Sequence, residues 1–204
     1  MSLTDSQLFS LAKKMNFPLE CVEFKDQLPK KLKFNTGYII NLQNSKDENE
    51  KDNEGTHWTC LQVNKYPTGH IEPIFFDPYG AEPSESIKKF VLTGCGKKLP
   101  HTDKDVQSLM SGVCGYFCCA FLHFINTYEH RTKDLYVDVS TFLELFEDLN
   151  ISSNYKKNEF VLKHFFQSAN PKLRKEIDVI KDDVDIQDTQ SGKGFRIPVE
   201  TKTR

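Results

Sequence analysis

Residues 113–124 read VCGYFCCAFLHF, and no other stretch constrains the fold as much. The run is too long for one strand. Phe117, Cys118, Phe121, Leu122 and Ile125 continue from Cys114 at helical spacing, which predicts a buried helix over about 114–128. With 38% hydrophobic residues and sixteen phenylalanines, the chain can supply a packed interior around that helix. Its 204 residues fit one domain with a tail.

The elements expected around the run are mixed. Thr4 and Gln7 form a capping box ahead of Leu8, Leu11, Ala12 and Met15, which predicts a first helix at about 5–15. Strands are expected at 37–43, 57–63 and 71–76, the last two as a hairpin across the turn NKYPTG. Residues 44–56, with five acids and two lysines, read as an exposed loop. Ser84 caps a short helix with Ile87, Phe90 and Val91 inward. Thr141 and Glu144 suggest a capping box, with Phe142, Leu145, Phe146 and Leu149 as the inner face of the helix that follows. Further helices are expected at about 158–168 and 171–180, the second with Pro171 in its first turn. Apolar periodicity fades after that. The domain is therefore placed at 1–180 and a mobile tail at 181–204.

Charge and cysteine usage narrow the function. The formal net charge of −2 gives no global field favouring nucleic acid or membrane. Lysines and an arginine gather locally at Lys88, Lys89, Lys97, Lys98 and Lys104, and again at Lys156, Lys157, Lys163, Lys172, Arg174 and Lys175. Such runs are usually solvated faces, with a DNA footprint as the alternative. No run of about 18 apolar residues is present, so no membrane span is expected. The N-terminus lacks the apolar core and cleavage site of a secretory signal, so an intracellular protein is expected. Six cysteines without framework spacing read as reduced thiols.

The chemistry concentrates on Cys114. It opens the buried helix, where backbone N–H groups favour an anion and make a thiol a usable nucleophile. Cys118 and Cys119, a turn further in, read as small buried hydrophobes. A nucleophilic thiol needs a base, and the base needs an orienting acceptor. His57 starts one strand of the expected hairpin and Asp77 ends the other, so the two fall on the same sheet edge. Gln107, seven residues before Cys114, is a candidate oxyanion donor beside the Cys114 backbone N–H. A metal site at Cys118, Cys119 and His123 lacks the second ligand pair that zinc requires, so no metal is expected. No phosphate-binding glycine loop is present.

Taken in order, GTHW, FFDPYG, Gln107 and CGYFCCAFLHF resemble the adenovirus-type maturation cysteine proteases, the adenain family. The order His, Asp, Cys is that of their wider clan, which includes the ubiquitin-like-protein deconjugases. Val113 stands where the deconjugases usually carry Asp, and Asp77 where the adenoviral enzymes carry Glu. The resemblance implies an α+β fold, a central mixed sheet flanked by helices with the Cys114 helix buried. It implies Cys114 as nucleophile, His57 as base and acid, Asp77 as orienter and Gln107 in the oxyanion hole, with Trp58 and Gly115 at the substrate. Substrates would be viral capsid and core precursors cut at glycine-containing sites, by a monomer, in the infected cell and the virion of a virophage or other DNA virus. A DNA cofactor and an activating peptide linked near Cys95 are implied in the same way, as is self-trimming at Gly192–Gly194. The alternatives that stay open are a deconjugase, an acyltransferase on the same scaffold, and an inactive relative serving as a structural or DNA-binding virion component.

Overall fold

A computed structural model describes residues 3–109, 111–127, 132–149 and 154–180. The expected tail at 181–204, with the glycine pair at 192 and 194, lies outside the described residues.

Four strands form one sheet in the order β1 (Leu19–Phe24), β2 (Thr36–Asn41), β3 (Trp58–Lys65) and β4 (Ile71–Phe76). β1 runs parallel to β2, and the other two pairings are antiparallel, so the sheet is mixed. Side chains alternate between its faces. Ile39, Cys60, Ile74 and Phe76 point into the larger core. Tyr38, Ile40, Leu61, Val63 and Phe75 point into the smaller one, where Ile87 and Val91 of α2 (Glu85–Cys95) cover them. The larger core is built around α3 (Cys114–Thr127), enclosed by α1 (Asp5–Met15), α4 (Leu135–Leu143) and α5 (Asn154–Ala169). The α+β architecture is the one expected.

α3 is buried on nearly every side, eleven of its fourteen residues being buried. A helix apolar all round has to sit inside the molecule. Phe121 stacks on Phe76 at 4.6 Å between ring centroids, and Phe142 meets both rings edge-on. Phe146 packs edge-on to Phe117. This aromatic block locks the helix onto the sheet.

Two expectations are corrected, and one strand had not been expected. The helix around Phe142 begins at Leu135, not after Thr141. Asp134 is its cap, accepting from the N–H groups of Tyr136 and Val137. The buried Glu72 carboxylate takes the Leu135 N–H at 2.9 Å, so a long-range partner fixes the start. Thr141 lies in the last turn, its hydroxyl donating to the Val137 carbonyl. Residues 171–180 form a 3-10 turn, Pro171–Leu173, followed by further turns rather than a helix. The bonds from Leu173 to Asn170, Glu176 to Leu173 and Ile180 to Ile177 are i→i−3, yet Leu173, Ile177 and Ile180 are buried all the same. Finally, β1 had no counterpart among the expected strands. It carries Glu20 and Glu23 among its apolar residues and lies at the edge of the sheet.

Candidate active site

The hairpin places two of the candidate residues. β3 and β4 pair with Cys60 opposite Phe76, so His57, just before β3, and Asp77, just after β4, meet at one end. His57 Nε2 and Asp77 Oδ1 are 2.7 Å apart. The carboxylate is fully buried, and the imidazole is 14% exposed. The same Oδ1 accepts the Tyr79 N–H at 2.8 Å, which locks the carboxylate within its own turn.

That turn, Asp77-Pro78-Tyr79-Gly80, organises the rest of the site. The Gly80 N–H closes it on the Asp77 carbonyl, and Gly80 has φ +69°. A Cβ on Gly80 would stand 2.5 Å from the Asp103 carbonyl oxygen. Gly80→Ala is therefore expected to lower stability by about 1–3 kcal/mol, seen as a fall in Tm, and to loosen His57 with it. The Pro78 carbonyl accepts the N–H groups of both Val106 and Gln107, which ties the loop ahead of α3 to the turn. From the other side, the buried Asn158 amide donates to the Val106 and Glu147 carbonyls. Tyr79 stacks on His57 with ring centroids 4.2 Å apart and an interplanar angle of 13°. Burial first, then the nearby Cys114 and Asp77, push the Tyr79 phenol up to about 12.

Cys114 opens α3 and is buried. Its Sγ accepts the backbone N–H of Trp58 at 3.4 Å. Burial alone would lower the His57 pKa. The hydrogen bond that the ring gives to Asp77 outweighs it, joined by the neighbouring Cys114 side chain and the charges of both, and the imidazole rises from 6.5 to about 9. Because Nε2 is taken by Asp77, Nδ1 is the ring nitrogen left for the sulfur. The other thiols of α3 differ sharply. Desolvation pushes Cys118 and Cys119 well above the ordinary thiol range, which keeps them protonated. All six cysteines are free thiols.

Gln107 is buried in the loop beside this turn. Its amide Nε2 donates to the Ser111 carbonyl at 2.6 Å and lies 3.4 Å from the Tyr79 hydroxyl, while Oε1 has no partner. Ser111 is itself held by Glu159 through its hydroxyl, at 2.6 Å. To serve an oxyanion, the amide has to turn one N–H away from these acceptors. Trp58 and Gly115, implied at the substrate, sit against the protein's own N-terminal residues. The Trp58 indole donates to the Leu3 carbonyl, and the Gly115 α-carbon faces Leu8 and Leu3. His123 Nδ1 lies 2.8 Å from the Met15 carbonyl oxygen. Among the described residues, no group of three or more His, Cys, Asp or Glu side chains is arranged to hold a metal ion. No helix among them is long and apolar enough to cross a membrane.

The sequence reading missed Tyr79, Ser111, Glu159 and Asn158. Only Tyr79 had a local signal, since it follows Asp77 by two residues in a tight turn. Ser111 lies in the same loop with no pattern to mark it, and Asn158 and Glu159 reach the loop from α5, distant in sequence.

No family model matches the chain. It is similar to the protease of Bovine adenovirus C serotype 10, with 27% identity over 150 residues that cover 63% of this chain and 76% of the relative. That similarity supports, at the level of family, an adenain-like viral protease.

Proposed function

We propose that the chain is a cysteine endopeptidase that cleaves viral precursor proteins. The observation that carries this reading is the 2.7 Å contact between His57 and Asp77 on the sheet edge where Cys114 opens the buried helix. A free thiol, an imidazole and a carboxylate then stand in the sequence that acyl transfer needs.

The chemistry follows from the protonation states. With the imidazole raised to about 9, His57 holds its proton at neutral pH. The Cys114 sulfur attacks the scissile carbonyl carbon as the thiolate, forming a C–S bond and an oxyanion. Gln107, with one N–H turned toward that oxygen, and the first-turn N–H groups of α3 stabilise the charge. His57 gives its proton to the departing amine as the C–N bond breaks. Water, deprotonated by His57, then attacks the thioester carbonyl, the C–S bond breaks, and the acid leaves with the Cys114 thiolate and the protonated ring restored. Asp77 accepts from the ring throughout and holds it in the orientation that serves both steps.

Substrates of this enzyme are capsid or core precursors, processed in the infected cell and in the virion. Incubating the purified chain with the capsid precursor of its own virus, beside a Cys114→Ala control, tests the proposal. Discrete fragments with the active chain and none with the control are expected; an intact precursor in both would overturn it. Gln107→Ala is expected to lower kcat by about 100-fold or more with KM little changed, read from steady-state cleavage of a precursor-derived peptide.

A further inference from the structure

Leu3, ahead of α1, reaches the Cys114 sulfur through a single side chain. The Trp58 indole N–H donates to the Leu3 carbonyl oxygen at 2.8 Å, and the ring is buried. A buried indole N–H needs such a partner. The backbone of the same residue is gripped by α3 on both sides. Its N–H donates to Cys114 Sγ at 3.4 Å, and its carbonyl accepts from the Cys118 thiol at 3.3 Å. The position of Trp58 therefore decides whether an N–H points at the reactive sulfur.

Leu3 is fixed independently of Trp58. The Thr4 N–H donates to the Gln7 side chain at 2.9 Å and the Gln7 N–H to the Thr4 hydroxyl at 3.3 Å, so the capping box holds the entry to α1. The Leu3 and Leu8 side chains lie over the first turn of α3. A Cβ on Gly115 would stand 2.9 Å from Leu8 Cδ2 and 3.4 Å from Leu3 Cδ1. Glycine at 115 thus lets the N-terminal residues approach the turn that carries Cys114.

We propose that the Leu3 carbonyl, acting through Trp58, is a positioning group for the Cys114 sulfur, so that the N-terminal segment sets the reactivity of that thiol. A hydrogen bond donated to the charged form of a group favours that form. Releasing the indole removes one of the bonds that position Trp58, its N–H is held less firmly on the sulfur, and less of the thiol is then held as thiolate. The inference rests on Cys114 being the nucleophile. Its readout, however, is thiol reactivity and needs no substrate.

The test uses the full chain and two variants. Trp58→Phe keeps the ring and removes the indole N–H. Thr4→Ala removes the exposed side of the capping box and leaves the core untouched. The rate at which iodoacetamide modifies Cys114 is followed by mass spectrometry across pH, with Tm by circular dichroism as a control for folding. Trp58→Phe is expected to slow modification about tenfold, Thr4→Ala about two- to threefold, each with its rate–pH curve displaced toward higher pH. Wild-type rates and an undisplaced curve in both variants would overturn the proposal. So would a lowered Tm for Trp58→Phe with an undisplaced curve in Thr4→Ala, which marks Trp58 as packing alone. If the wild-type chain cuts no precursor while the curves still shift, the peptidase reading fails and this one stands.

Discussion

Replacing Cys114 by alanine is expected to lower cleavage of a precursor-derived peptide by about 10⁴- to 10⁶-fold, while Cys118→Ala and Cys119→Ala retain activity. The contrast follows from where the sulfurs sit. Cys118 and Cys119 are fully buried, and desolvation holds their thiols well above the ordinary range. Cys114 opens the helix, accepts a backbone N–H and helps to raise the neighbouring His57 imidazole. The fold should survive Cys114→Ala, because the change removes one sulfur from a site lined by Trp58 and the first turn of α3. An unchanged Tm beside lost activity is the expected pair of results. Equal losses for Cys114→Ala and Cys118→Ala would place the nucleophile elsewhere.

Asp77→Asn is expected to lower kcat/KM by roughly 10²- to 10⁴-fold, and to move the alkaline limb of the pH profile. The sign follows from the imidazole. Its pKa in the folded chain is about 9, above the ordinary 6.5, with the Asp77 hydrogen bond the largest raising influence against desolvation. The stabilisation from the charged ring is fully present below about 6.5 and is lost as pH rises through about 9. Activity that depends on the imidazolium should decline over that same upper range. An asparagine keeps the shape of the side chain but loses the charge, so the largest influence opposing desolvation of the ring is weakened and the limb moves to lower pH. The ring and the Tyr79 N–H already share Asp77 Oδ1, so an amide oxygen at that place keeps both acceptor contacts and the variant isolates the charge. A kinetic profile from the wild type and the variant reads the shift directly. An alkaline limb at the same pH in both would show that Asp77 does not set the protonation of His57.

Much of this arrangement was legible in the sequence because it is carried by local pattern. The apolar spacing from Cys114 to Ile125 marks α3 within about one residue, and the capping box at Thr4 and Gln7 marks α1. The hairpin is bounded by a turn with proline and glycine, and its antiparallel register is what sets His57 beside Asp77. What stayed hidden depends on partners far along the chain. α4 starts at Leu135 because Glu72, sixty-three residues earlier, accepts its N–H. β1, with two glutamates in six residues, becomes a strand through its parallel pairing with β2. The loop carrying Gln107 is shaped by Pro78 on one side and Asn158 on the other, and nothing in the spacing of Gln107 and Cys114 reports those bonds.

Taken as a group, the buried polar contacts around the site work toward one geometry. Asp77 is held by Tyr79, Gln107 by Ser111, Ser111 by Glu159 and Val106 by Asn158. Each is a neutral or charge-assisted hydrogen bond in a region shielded from water, where such bonds are strong and an orphaned partner is costly. The candidate groups His57, Asp77 and Cys114 are thereby set on a strand edge and a helix start, with a tied loop between them.

The most direct measurement is the iodoacetamide reactivity of each cysteine at about pH 6, where an ordinary thiol is almost wholly protonated. The account predicts that Cys114 is modified well ahead of the half-exposed Cys95 and the buried Cys118, and that Asp77→Asn removes the lead. Modification of Cys95 ahead of Cys114 at that pH would contradict it.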